Sequence, residues 1–121
     1  MAINIAFHTV HLMVIAINML GWLVPRMRLP SFICQVATLA CWVGFGLIKG
    51  WWGFCPLTYW HWQYLESTGA FGLPGNYVSY IAQRWLGIHM SDDFSAGLVL
   101  GCFSMAVLIN TLLLRKKFEE L

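Results

Sequence analysis

The stretch whose reading decides the fold is Lys49–Gln63, KGWWGFCPLTYWHWQ. It carries four of the chain's seven tryptophans, together with Cys55, Pro56 and His61. Indole and phenol rings favour the membrane–water boundary, where an apolar body and a polar tip are both satisfied. Pro56 has no backbone N–H and a fixed φ, so it suits the first turn of a helix and breaks one already running. Gly50 and Gly53 permit the bend between the two. The stretch therefore predicts a corner, marked by Cys55, Pro56 and Trp60. A membrane helix ends there and a helix lying along the interface begins.

The flanking sequence agrees. Hydrophobic residues make up 60% of the chain and charged residues 10%, against about 45–50% and about 25% in soluble domains. At 121 residues, the chain reads as a single membrane domain. A net charge of +2, with no basic cluster interleaved with aromatics, predicts no nucleic-acid partner. The start lacks a basic n-region and a small-residue cleavage site, so it reads as a span rather than a leader.

Residues 2–24 are apolar apart from Asn4, His8, Thr9, His11 and Asn18. At 1.5 Å per residue they extend roughly 35 Å, enough for a hydrocarbon core of about 30 Å. A second span is expected over 31–48 with Ser31 as N-cap, and a third over 94–114, capped at Ser91-Asp92-Asp93. Between them two short helices are expected, Pro56 to about Ser67 and about Asn76 to Leu86. The turn Phe71–Gly75 separates them and Gly87 ends the second. Leu57, Trp60, His61 and Tyr64 share one face of the first. The predicted fold is an all-α integral membrane protein with three transmembrane helices and two short interfacial helices between spans two and three.

Charge sets the expected orientation. With three spans, Arg26, Arg28, Arg115, Lys116 and Lys117 fall on one side, and only Lys49 and Arg84 on the other. The excess of Lys and Arg in cytoplasmic segments puts the N-terminus outside and the C-terminus in the cytoplasm. A fourth span over 51–73 would bury His61, Gln63 and Glu66 and split the basic residues.

Cys34, Ala37, Cys41 and Gly44 form a small-residue stripe on the second span, and Gly97 and Gly101 a second small face on the third. Such faces let helix backbones approach closely in lipid. Asn18 and Asn110 are expected to pair across the bundle, at about 0.5–2 kcal/mol. The cysteines form no CxxC pair and read as small hydrophobes.

The orientation brings all four histidines to or near the outer leaflet. His8 and His11, three residues apart, lie near one face of the first span, and His61 and His89 lie outside it. An ionisable group inside a span is a functional candidate, and imidazole both binds metals and titrates near neutrality. His8, His11 and His61 are therefore the candidate cofactor-binding residues, for a haem, a metal or a quinone. The plainer reading has His8 and His11 bonded to neighbouring helices and His61 and His89 solvated at the surface. No HxxxH or HExxH spacing is present, and no nucleophile–base–acid set can be assembled.

The order of these features resembles a known family. His11 is followed ten residues later by Gly21, then by a Trp/Gly-rich exit from the second span, then by Cys55-Pro56-Leu57-Thr58. A Gly/Tyr stretch leading to a short helix comes next. The chain resembles, from about Ile5 to Leu114, the small bacterial membrane proteins grouped as domain-of-unknown-function 2784. Members often carry a Glu shortly after CPLT, where this chain has His61. The resemblance implies a bacterial inner-membrane protein of about three spans and implies no activity. The expected function is that of a small accessory or structural subunit, packing against a larger membrane complex or copies of itself. The alternative is a histidine-dependent haem, metal or quinone-linked redox protein. A thiol protein acting through Cys55 is disfavoured because no second outer cysteine accompanies it.

Overall fold

The computed structural model describes residues 1–50 and 55–121. The roles expected for Trp51, Trp52 and Gly53 lie outside the described residues. Five α-helices are described: α1 (Ala2–Leu20), α2 (Arg28–Lys49), α3 (Pro56–Ser67), α4 (Tyr77–Leu86) and α5 (Asp92–Glu119). The three longest are long and apolar enough to cross a membrane. Each of α1, α2 and α5 packs on the other two, α3 packs on α1 and α2, and α4 packs on α5. The chain is thus a three-helix bundle with a two-helix cap, as its apolar pattern predicts.

The helix ends follow local chemistry. Pro56 begins α3, with Cys55 extended before it. Asn76 caps α4, its side chain accepting from the Ser79 N–H at 2.9 Å. Ser91 caps α5, accepting from the Phe94 N–H at 3.2 Å. Gly50 and Gly87 end α2 and α4 in the left-handed region, at φ 74° and 68°, where a side chain is disfavoured.

Ser31 departs from its expected role. α2 starts three residues earlier, at Arg28, so Pro30 lies in its first turn, where its missing N–H costs nothing. Ser31 is fully buried and its hydroxyl donates to the Ile17 carbonyl of α1 at 2.7 Å. The approach there is close. A Cβ on Gly21 would lie 2.6 Å from the Ser31 Cβ, so Gly21 is required at the α1–α2 crossing.

Asn18 and Asn110 do not pair directly. Gln35 stands between them: its amide nitrogen donates to the Asn18 carbonyl at 2.8 Å, and its side-chain oxygen accepts from Asn110 at 3.3 Å. Asn110 also donates to the Arg28 carbonyl at 3.0 Å, and the Asn18 side chain donates to Thr38 at 2.9 Å. This ladder ties all three long helices together.

The packing face of α2 is therefore Ser31, Gln35, Trp42 and Gly46, the four buried residues of the helix. Cys34 and Gly44 are half-buried, Ala37 and Cys41 are exposed, and so are Gly97 and Gly101 of α5. The small-residue faces do not form the contacts inside this bundle. Ser31 and Gln35 form them together with Trp42, which packs on Phe103, and Gly46; a buried amide in hydrocarbon needs a partner and a methyl group does not.

Gly21→Ala is expected to destabilise the bundle by about 1–3 kcal/mol, the usual cost of overpacking. Gly97→Ala, whose Cβ would meet nothing within 4 Å, should leave stability unchanged or raised. Denaturant unfolding in mixed micelles compares the two; equal effects would contradict the close α1–α2 approach.

Candidate functional site

The cap is fastened where its internal loop leads into α4. The Trp62 indole donates to the Pro74 carbonyl at 2.7 Å. The Gly75 N–H donates to the Asp92 carboxylate at 3.1 Å, and the Asn76 amide donates to the Ser95 hydroxyl at 2.6 Å. The Ser79 and Ser95 hydroxyls are also bonded. α4 is thereby registered against the start of α5, which carries Tyr77 over the N-terminal half of α1.

There the three candidate histidines meet. His61 of α3 is fully buried, and its Nε2–H donates to the Asn4 side-chain oxygen of α1 at 2.6 Å. Its ring stacks on Phe7 at 5.0 Å and meets the His8 ring edge-on at 4.7 Å. His8 Nδ1 is hydrogen-bonded to the Tyr77 hydroxyl at 2.6 Å. His11 is buried and stacks on the Tyr77 ring with centroids 3.8 Å apart. Trp62 packs on Tyr80 at 4.9 Å. Each such ring pair contributes about 0.5–1.5 kcal/mol beyond its buried area.

His61 is not at the surface; His89 is, exposed before α5. The face of α3 that turns inward carries Thr58, His61 and Trp62, whereas Trp60 remains 54% exposed. Cys55 is half-buried, and burial raises its thiol above the ordinary value. Asn4, Tyr77 and Gln35 complete the polar interior and were not singled out by sequence reasoning. Asn4 and Gln35 could have been found as amides inside apolar runs, where an amide must find a bond; Tyr77 had only its position on an amphipathic helix.

Electrostatically the site is a neutral one. Burial, reinforced by the charge that His8 can carry, pulls the His61 imidazole down to about 4 from its ordinary 6.5. Burial pushes the Tyr77 phenol up to about 12, helped by Tyr80. With Nε2 donating to Asn4, neutral His61 presents Nδ1 as an acceptor. That atom has no hydrogen-bond partner among the described residues, and neither does His11 Nδ1. The arrangement can accept hydrogen bonds and hold a proton. Among the described residues no group of three His, Cys, Asp or Glu side chains is placed to hold a metal ion. The edge-on contact of His8 and His61 also leaves no room for a macrocycle between them.

The acid sensitivity of the fold follows. The unfolded chain protonates His61 near 6.5, the folded chain only near 4. Between these values the unfolded state binds the extra proton, so stability falls as pH is lowered and is constant above about 7. The unfolding midpoint in detergent should drop between about pH 7 and about pH 4, and His61→Gln should flatten that drop. An unchanged slope in the variant would place the sensitivity elsewhere.

Comparison with known proteins bears on the family and not on the chemistry. No curated protein and no solved structure matches the chain. The family model described as "Protein of Unknown function (DUF2784)" matches residues 2–115, a range that includes α1, α2, the cap, most of α5 and every histidine of the cluster. The chain belongs to the DUF2784 family.

Proposed function

We propose that the chain is a small accessory subunit of the bacterial inner membrane that packs laterally against a larger membrane complex or a second copy of itself. The observation that carries this reading concerns three glycines. A Cβ on Gly44, Gly97 or Gly101 would meet nothing within 4 Å. A glycine inside a helix is about 1 kcal/mol less favourable than alanine, and the packing of this bundle does not require these three. Ala37 and Cys41 extend the same exposed, small surface along α2. Backbones that lie open in this way suit close contact with a helix of another chain.

A second reading has one observation in its favour. The unpartnered Nδ1 of neutral His61, an acceptor, could bond the hydroxyl of a quinol headgroup, which would make the cluster a redox-linked site. The donor geometry supports this form of the histidine reading over haem or metal ligation. The orientation proposed for either role, N-terminus outside and C-terminus cytoplasmic, rests on the charge count.

Purification in mild detergent separates the two readings. A subunit migrates with a partner or as an oligomer, carries no extractable quinone, and loses its partner in Ala37→Leu/Gly97→Leu without a fall in its own unfolding midpoint. A solitary wild-type monomer would overturn this reading. A co-purified quinone, extracted and identified by its ultraviolet spectrum and absent from His61→Ala, would favour the redox one. For the orientation, Ser67→Cys at the exposed end of α3 is a better probe than Cys55, whose thiol is shielded. An impermeant maleimide should label it in spheroplasts; labelling only after lysis would reverse the orientation.

A further inference from the structure

The three spans and the cap meet around a cavity of about 90 Å³ to which all five helices contribute. His11 and Asn18 of α1, Trp42 of α2, Thr58 of α3, Tyr77 of α4 and Phe103 of α5 all line it. Most of its wall is apolar. Three of its lining residues nevertheless carry a buried polar atom with no partner among the described residues: His11 Nδ1, Asn18 Oδ1 and Trp42 Nε1. These residues are 5%, 4% and 9% exposed.

Unpaired buried polar atoms are rare in native proteins, and each costs about 1–3 kcal/mol if left unsatisfied. Three around one cavity indicate an occupant that satisfies them. Its chemistry is constrained. Trp42 Nε1–H only donates, Asn18 Oδ1 only accepts, and His11 Nδ1 does either according to its tautomer. The occupant must therefore both accept and donate, at several points.

Size decides the rest. A single aromatic ring occupies an engineered apolar cavity of about 150 Å³, whereas a water molecule takes about 30 Å³ of liquid. The 90 Å³ here falls below the first and has room for several of the second. We infer that the cavity is a hydration site in which a few ordered waters bridge His11, Asn18 and Trp42.

The position of the site gives it a role. On one side, His11 stacks on Tyr77, which is bonded to His8. On the other, Asn18 is bonded to Thr38 and Gln35, and Gln35 to Asn110. Water in the cavity joins the imidazole cluster to the amide ladder as one polar column through the bundle. This inference is independent of the subunit role.

Hydroxyl-radical footprinting in lipid nanodiscs tests it, because radicals generated from bound water oxidise the side chains beside it. Trp42, at 9% exposure, should be oxidised severalfold faster than Met105, which is 65% exposed but faces outward from the bundle. Asn18→Leu should bring the Trp42 rate down to that of Met105. If that variant does not fold, Trp42→Phe read at Met19, which also lines the cavity, should slow Met19 oxidation relative to the wild type. Wild-type Trp42 reacting no faster than Met105, or rates unchanged in the variants, would overturn the inference. So would native mass spectrometry that finds a stoichiometric small molecule released from the wild type and absent from Asn18→Leu.

Discussion

A polar group buried in hydrocarbon must find a partner, and this bundle is organised by that constraint. Apolar contacts between helices give little net preference in lipid, since a leucine is as well solvated by acyl chains as by another leucine. Register must come from elsewhere. Here Ser31 bonds the Ile17 carbonyl, Gln35 the Asn18 carbonyl, and Asn110 both the Arg28 carbonyl and Gln35. Each bond permits one alignment of two helices, and together they permit one alignment of three.

The cap obeys the same logic with different groups. α3 and α4 are short, and each is anchored where a polar atom of the cap meets one on a span: His61 with Asn4, Tyr77 with His8, and Asn76 with Ser95. Aromatic stacking fills the space between those bonds. The histidine cluster is therefore both what holds the cap on and the part of the molecule with chemistry to offer. A change made to probe one role will disturb the other, which is why variants at the outward glycines and at the cavity are the cleaner tools.

Much of this architecture was legible in the sequence. The apolar runs marked the three spans, Pro56 and Gly87 marked ends of the cap helices, and Ser91 marked the start of α5. These are local signals, settled by φ restrictions and capping bonds within a few residues. The gathering of His8, His11 and His61 was anticipated only as a shared leaflet, because contact between α1 and α3 depends on how the cap folds back. Gln35 was missed. Its importance arises from two asparagines on other helices, and no local pattern announces a partner 75 residues away. The small-residue stripe was legible as a surface, but its composition could not say whether the chain itself covers it.

The crossing at Gly21 and Ser31 has a consequence for biosynthesis. α1 and α2 are joined by a tight connection, and their mutual bonds, Ser31 to Ile17, Gln35 to Asn18 and Asn18 to Thr38, involve no residue beyond Thr38. The hairpin can set its register as soon as both helices have entered the bilayer, well before α5 has been synthesised. α5 meets that pair through the Gln35 side-chain oxygen and the Arg28 carbonyl, both of which accept from Asn110. Every acceptor that the Asn110 amide meets thus lies on a helix that precedes α5 in the chain, so the bonds place no obstacle in the way of assembly in the order of translation.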